Sequence, residues 1–492
     1  MLKNKISKSD YLEIKGDSWP SWDDYLAGKR TDSEKINSEL DLFTKNFGKI
    51  GKVFPIQSAT SCLYKWSGSS IMLPMNSSAS CCFAEQIPLD PDNFDNFHNH
   101  PKKIEDRERM IRGEWPTSGC QVCIDIEEQG GMSERQASAH ARNLIPYEMN
   151  ENPMATHVTP SSVQLFTHNT CNFSCVYCCS YLSSQIEYEN HRFGRFEKDG
   201  VILEDTLPTK LDVSEMFTKT ISWLDKNIDK LKRLDILGGE SFLQHELLEA
   251  VFEILDRKPN SDLQISMFSN INAPDKYWNK YINKIRQLSL DKKIKGLVLN
   301  VSVDCWGPES EYVRYGLDLD MLDKRMVDLS KQGDWLTMEI TSVVSSMSIH
   351  TIDQLIAKSA EWIENKPDIG MRWMFTFSND AFYSEDLKHY LHPEVFKYET
   401  WGDSFERCYR ELDKIDKNIL FDKNKNKETG MPTTYFTVPY FKERLRGLES
   451  HLKAIKHNDM KKVKQLHIYL DEIDRRRGTN WRKLFPYLDV NE

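Results

Sequence analysis

Between residues 160 and 380 the hydrophobic and polar positions repeat with two alternating periods. Short runs rich in β-branched and aromatic residues predict strands at Ser161–Thr167, Arg233–Leu237, Leu263–Ser269, Leu297–Val303, Leu336–Val344 and Met371–Phe377. Between them, apolar residues near i, i+3, i+4 and i+7 predict helices at Ser214–Lys230, Phe242–Asp256, Pro274–Arg286, Glu309–Gln332 and Thr351–Glu364. Strand-then-helix alternation of this kind predicts an α/β domain with a parallel sheet. In the fourth strand, Asn300-Val301-Ser302-Val303-Asp304 alternates polar with apolar, so its polar positions share one face.

The flanking regions carry other patterns. Residues 1–50 are charged and spotted with aromatics, as in Trp19-Pro20-Ser21-Trp22, and predict a helical lead-in. In residues 51–150, two β-like runs, Gln57–Trp66 and Ser70–Met75, joined by Ser67-Gly68-Ser69, predict a hairpin. A helix-like stretch, Glu105–Arg112, follows. Residues 381–492 are mainly helical. A Lys/Asn/Asp-rich loop falls at Asp422–Lys427, and Tyr440–Arg475 predicts two helices split near Lys456-His457-Asn458-Asp459. A chain of 492 residues normally holds two or more cores, and four regions are expected: 1–50, 51–150, 160–380 and 381–492.

Charge narrows the function classes. The net charge is −10 and no strong basic block occurs, which argues against extended nucleic-acid binding. No run of about 18 apolar residues exists to span a membrane. Met1-Leu2-Lys3-Asn4-Lys5 is polar and lacks the apolar stretch of a signal peptide. The acidic balance suits a cytoplasmic protein. The 11 cysteines are an odd number and they cluster. In a reducing compartment such clusters read as metal ligands rather than a disulfide framework.

Two cysteine groups stand out. Cys171-Asn172-Phe173-Ser174-Cys175-Val176-Tyr177-Cys178 is a CxxxCxxC run in the loop just past the first strand of the α/β region. That is where α/β barrels place their active-site groups. Three thiolates this close can hold three irons of a cubane cluster and leave the fourth without a protein ligand. Structural zinc is the competing use of such spacing. Cys179 reads as a packed thiol, because a fourth thiolate would close the open iron. The second group is Cys62, Cys81, Cys120 and Cys123, with Cys82 able to replace Cys81. Four thiolates can fully ligate a cubane or one zinc ion. His98 and His100 form a His-x-His pair in the acidic, Asn-rich segment Asp90–His100, and a solvated loop is the preferred reading. Arg475-Arg476-Arg477-Gly478 before Trp481 reads as a solvated helix end, with capping of the domain or an anionic substrate as the other use.

The CxxxCxxC run, with Tyr177 before its last cysteine, resembles the cluster motif of the radical S-adenosylmethionine (radical SAM) superfamily. Gly238-Gly239-Glu240, at the end of the second strand, resembles that superfamily's GGE motif, whose backbone and carboxylate hold the amino group of SAM. Ser269 and Asn270 resemble positions near the SAM carboxylate, and Ser302 and Asp304 resemble ribose-contacting positions. Tyr177 is grouped with these cofactor-binding residues. Arg314 is a candidate partner for a carboxylate of SAM or substrate, with a surface salt bridge as the alternative. Cys305 is a weak catalytic candidate, set against a buried inert thiol. The second cysteine group resembles a Twitch/SPASM-type auxiliary cluster region, here placed before the SAM-cluster motif.

What the resemblance implies is an open, partial (β/α)6 TIM-like barrel with an N-terminal cysteine-rich auxiliary-cluster region and a helical C-terminal region. It also implies two [4Fe-4S] clusters, SAM, and a flavodoxin- or ferredoxin-type reductant. The reaction expected is oxidation or cross-linking of a peptide or protein side chain. A radical SAM reaction on a small metabolite, possibly transferring part of SAM, and a non-catalytic zinc-binding interaction protein stand as alternatives.

Overall fold

The computed structural model describes residues 60–117, 119–128, 133, 135, 144–194, 197–198, 201–202, 212–366, 369–375, 389–415 and 438–490. The expected lead-in of residues 1–50 and the Asp422–Lys427 loop lie outside them.

The protein is built on one nine-stranded sheet. Its strands are β1 (Gly68–Met72), β2 (Ser77–Ala79), β3 (Ile87–Pro88), β4 (Ser162–Phe166), β5 (Arg233–Leu237), β6 (Gln264–Ser269), β7 (Gly296–Ser302), β8 (Leu336–Val344) and β9 (Gly370–Phe375). The order across the sheet is β9-β8-β7-β6-β5-β4-β1-β2-β3. The seven strands from β9 to β1 run parallel, and β2 and β3 add an antiparallel edge. Among the described residues the two edge strands do not pair with each other, so the sheet is open.

Register explains how the sheet is covered. Val163, Leu234, Ile265, Leu297 and Leu336 lie side by side across five strands, followed by Leu165, Ile236, Met267, Leu299 and Met338. All ten are buried. Between these rows runs another of opposite character: Ser70, Gln164, Asp235, Ser266, Val298 and Thr337. Because side chains alternate across a strand, one face of the sheet is apolar and the other largely polar. A parallel sheet normally needs cover on its apolar face, which the crossover helices supply.

These helices are α5 (Ser214–Asn227), α6 (His245–Arg257), α7 (Asp275–Leu290), α9 (Leu319–Ser330) and α10 (Ile352–Asn365). On α6, Leu247, Leu248, Val251, Phe252, Ile254 and Leu255 are all buried. Six such side chains contribute on the order of 10 kcal/mol of burial before the opposing chain entropy.

Two predicted elements are corrected. The hairpin expected around Ser67-Gly68-Ser69 is displaced. Leu63–Ser67 forms a short helix, α1, and the hairpin instead joins β1 to β2 through Leu73–Met75 and a left-handed Asn76. Leu63 and Trp66, three apart, are buried on one side of α1, a helical spacing masked by the surrounding β-formers. The long helix expected at Glu309–Gln332 is two, α8 (Pro308–Val313) and α9. The break forms because Arg314 and Tyr315 pair in a short antiparallel ladder with Cys175 and Ser174. Gly316, at φ +109°, then passes close to Asn172, and Asp318 caps α9 by accepting from the Met321 N–H at 2.9 Å. The Gly316–Asp318 pair was a readable stop-and-start signal.

Further helices are α2 (Pro101–Ile111), α3 (Gln121–Glu128), α4 (Ser184–Phe193), α11 (Gly402–Lys414), α12 (Val438–Lys453) and α13 (Met460–Arg477), besides single turns at Glu148–Glu151 and Trp481–Leu484. The break between α12 and α13 falls where the sequence placed it. No helix of the described residues is long and apolar enough to cross a membrane. All eleven cysteines lie among the described residues and none is in a disulfide.

Candidate metal centre at the sheet rim

The loops after β4, β5, β6, β7 and β8 all leave the C-terminal edge of the parallel strands, and the candidate residues collect there. Cys171, Cys175 and Cys178 are half-buried in the loop after β4. The loop is fastened at many points. The Cys171 N–H donates to Ser184 Oγ at 3.1 Å, Ser183 Oγ donates to the Phe173 carbonyl at 2.6 Å, and the Val176 N–H donates to the Val313 carbonyl at 2.8 Å. The Phe173 N–H points at Cys171 Sγ, 3.4 Å away, a contact that favours a thiolate. Burial pushes the Cys171 thiol up to about 12. Cys179 is buried.

The diglycine turn lies directly against this loop. A Cβ on Gly239 would stand 2.5 Å from the carbonyls of Asn169 and Thr170 and 2.6 Å from Cys171 Cβ. The Glu240 N–H donates to the Thr170 carbonyl at 2.9 Å. Gly238 has φ +149°, and a side chain there would strike Gln244. Two sequence motifs about seventy residues apart are thus a single surface, and only glycine fits their contact.

Glu240 is fully buried. Its Oε1 accepts from Ser269 Oγ at 2.6 Å and from the Phe242 N–H at 3.0 Å, while Oε2 accepts from the Asn270 N–H at 2.8 Å. Burial raises its pKa, and these three donors work against that rise. Its carboxylate therefore ties the diglycine turn to the end of β6, alongside the Ser269 and Asn270 singled out in the sequence. Asn270 also donates to Asn172 Oδ1 at 2.9 Å, and Asn172 donates to the Asn272 carbonyl at 3.1 Å. Between them Ile271 adopts φ +46°, which is rare for a β-branched residue. Arg325 holds that turn by donating to the carbonyls of Ile271 and Ala273 at 2.7 and 2.8 Å. Strain of this kind persists only where the surroundings over-determine it, and it is often found at functional sites. Sequence reasoning gave no role to Asn172, a spacer of the cysteine motif, and missed Ile271, Asn272 and Arg325, which carry no motif.

Asp304 and Arg314 meet each other. The guanidinium donates through Nε to Oδ2 at 2.9 Å and through Nη2 to Oδ1 at 2.7 Å. Tyr177 OH and the Val343 N–H complete four donors on the carboxylate, at 2.8 Å each. A carboxylate has about four acceptor positions, so Asp304 keeps none open for a ribose. Arg314 is buried, not at the surface, and its pair with Asp304 backs the thiol loop. Tyr177, Asp304 and Arg314 form one internal brace. Ser302 is half-buried at the end of β7. Cys305 is fully buried and its thiol is pushed up to about 12 by burial, the character of an inert packed thiol.

The second cysteine group lies at the opposite end of the sheet. Cys62 precedes α1, which leads into the start of β1, and Ser80, beside Cys81, lies 2.8 Å from the Cβ position of Gly68. Since β1 runs parallel to β4, this end is the base, away from the rim. The five residues of β1 separate the two ends by about 17 Å at about 3.3 Å per residue. Cys62, Cys81, Cys120 and Cys123 come close enough to act on one another's charge. Cys82 is exposed. Among the described residues no three His, Cys, Asp or Glu side chains gather tightly enough to hold a single ion. The group stands among buried cations: Lys65 pairs with Asp106, and Arg135 donates to the Ser61 carbonyl at 2.9 Å.

Two histidine and arginine readings change. His98 is buried, not solvated; its Nε2 lies 2.8 Å from the Trp66 carbonyl and 2.8 Å from Arg107 Nη2. Burial lowers its pKa well below the usual imidazole value, and Arg107 and Lys103 lower it further. His100 instead caps α2, accepting from the Lys102 N–H. The side chains of Arg476 and Arg477 are likewise covered, with exposures of 0% and 4%, and of the three arginines only Arg475, at 56%, is solvated as expected.

No protein-family model matches the chain, and no curated protein matches it. Among solved structures, it is similar to one of TYW1 with a lysine–pyruvate adduct bound, at 14% identity and TM-score 0.26, covering 50% of this chain and 70% of that one. It is also similar to Streptococcus suis SuiB bound to S-adenosylmethionine, at 13% identity and TM-score 0.32, covering 71% of this chain and 68% of that one. Likeness at this level says nothing about substrate or reaction.

Proposed function

We propose that this protein is a radical SAM enzyme. The observation that carries the reading is the contact between the thiol loop and the diglycine turn, where Gly239 leaves room for nothing larger than a hydrogen beside Cys171. The donor set fits an iron–sulfur cubane: three half-buried thiols in one braced loop, a backbone N–H directed at one sulfur, and a neighbouring fourth cysteine that is buried. Cys171, Cys175 and Cys178 would hold the cluster, whose chemistry would be one-electron reduction of SAM, giving methionine and a 5′-deoxyadenosyl radical that would remove a hydrogen atom from a substrate.

The chain's own residues set the geometry for that chemistry. The backbone of Gly238 and Gly239 offers acceptors to an ammonium group at close range. The Asn172–Asn270–Asn272 network fixes the thiol loop against β6, and the Tyr177–Asp304–Arg314 brace fixes its other side. Such supporting contacts orient the side chains that would bind a metal group. The polar sheet face, with Gln164, Asp235, Ser266 and Asn300, lies between rim and base, where Arg233 pairs with Asp235 and Asn300 donates to Ser266 Oγ at 3.3 Å. We read the sheet as the wall of a partial (β/α)6 barrel around that face.

At the base, Cys62, Cys81, Cys120 and Cys123 suit a second cluster, with buried cations to offset its negative charge. Its distance from the rim fits an acceptor for the electron left on a substrate radical. The reaction we favour is oxidation or cross-linking of a peptide or protein side chain, in the cytoplasm, with a flavodoxin- or ferredoxin-type reductant. The test is anaerobic reconstitution of the full chain with iron and sulfide, then incubation with SAM and dithionite. Formation of 5′-deoxyadenosine, lost in Cys175→Ala, is expected. A chain that takes up only zinc, or that never cleaves SAM, overturns the reading. Deuterium transfer into 5′-deoxyadenosine from labelled peptide rather than labelled metabolite would establish the substrate class.

A further inference from the structure

Helix α13 ends in three arginines, and the last of them has an unusual setting. Arg477 donates through Nε and Nη2 to the two carboxylate oxygens of Glu189 on α4, at 3.1 and 2.9 Å. Its guanidinium lies 4.9 Å from the ring centroid of Tyr315. Tyr315 is half of the short ladder whose other rung pairs Arg314 with Cys175. The third amine, Nη1, is buried and has no acceptor among the described residues. Leaving a buried charged donor unmatched is costly, and a native protein that keeps one calls for a reason. Arg314, on the other side of the same ladder, is likewise met by both oxygens of a carboxylate, Asp304.

The rest of α13 holds the thiol loop as well. Tyr469 OH donates to the Val176 carbonyl at 2.6 Å, and Arg476 donates to Asn190 Oδ1 and the Gly194 carbonyl at 2.8 Å each. A helix nearly three hundred residues along the chain is thus fixed to the loop carrying Cys175 and to the helix after it.

We propose that Arg477 is a positioning residue for the metal group on Cys171, Cys175 and Cys178, placing a fixed positive charge behind Cys175 that favours the group's reduced state. The proposal rests on the reading of those thiols as cluster ligands. Reduction adds one negative charge, and a guanidinium stays protonated in any protein environment. In a partly buried site the attraction between the two is screened far less than in water. Glu189 and Tyr315 fix where that charge sits, and Tyr469 fixes the loop it acts on.

The test is an EPR-monitored redox titration of the reconstituted full-length protein, following the signal that shifts on adding SAM. Arg477→Gln is expected to make that group about tenfold harder to reduce, a fall of about 59 mV for one electron, at unchanged iron content. Arg477→Lys should recover most of the loss. Glu189→Gln, which removes the countercharge, should move the potential the other way, and it decides the matter if Arg477→Gln does not fold. A loaded cluster whose potential is the same in Arg477→Gln and Glu189→Gln overturns the proposal while leaving the radical SAM reading intact. A wild-type chain with no SAM-sensitive signal overturns both.

Discussion

The two cysteine groups occupy opposite ends of one sheet and are held in opposite ways. The rim group belongs to a single loop in the main hydrophobic core, with Phe173 and Val176 buried beside its thiols. Its nearby charges come as bidentate pairs, Arg314 with Asp304 and Arg477 with Glu189. The base group draws its four thiols from three separated stretches and rests on a smaller core of Leu63, Trp66, Met110, Leu144, Met149 and Val158. Around it stand buried cations, among them Lys103, hydrogen-bonded to Ser69 and Ser78. The lesson is that the rim thiols share one loop that distant partners brace, while the base thiols are themselves gathered from separated stretches. A rigid loop suits a group that must present an open corner. A set gathered from afar suits a group that is closed by its ligands.

Removing a ligand should separate the two ends most sharply. Cys178→Ala should abolish 5′-deoxyadenosine formation. Cys120→Ala should lower iron from about eight to about four atoms per chain and end substrate turnover, yet retain the SAM-sensitive EPR signal. Iron analysis with EPR checks both. Loss of the SAM-sensitive signal in Cys120→Ala would erase the distinction between the groups.

Steric probes come next. Gly239→Ala forces a methyl group against Cys171 and should cut SAM cleavage by about a hundredfold through misplacement of the loop. Gly68→Ala is the matching probe at the base, since its Cβ would meet the Ser80 carbonyl at 2.8 Å. It should reduce iron retention at the base while leaving the SAM-sensitive signal in place.

The rim's buried brace gives a stability effect. Asp304→Asn leaves Arg314 buried against a neutral amide and should cost about 3–5 kcal/mol, read by denaturant unfolding. A loss below about 1 kcal/mol would mean that the brace is not rigid.

The smallest effect concerns support from the C-terminal region. His350 lies against Trp401 and Tyr487, with ring centroids 5.4 and 4.0 Å away. Burial, with Arg407 nearby, holds its pKa down at about 4. In the folded protein it stays neutral while the unfolded chain takes up a proton below about 6.5. Its contribution to stability is therefore complete above about 6.5 and is lost as pH falls toward 4. The melting temperature should drop between pH 7 and pH 4.5, and His350→Gln should shrink that drop.

What the chain states outright is whatever depends on near neighbours. Strand spans such as Arg233–Leu237 and Leu336–Val344 were legible because side-chain alternation and flanking turn residues are local. So were the thiol spacing of Cys171, Cys175 and Cys178 and the GGE turn. Tertiary structure decided the rest. It joined β1 to the parallel core beside β4, broke the expected Glu309–Gln332 helix with a ladder to Cys175, and buried His98 and Arg477 in places that looked solvated. It also spent Asp304 on Arg314 rather than leaving it open to a ligand. Each of these turns on a partner tens to hundreds of residues away. Burial and charge pairing depend on distance in space, which the order of residues along a chain does not reveal.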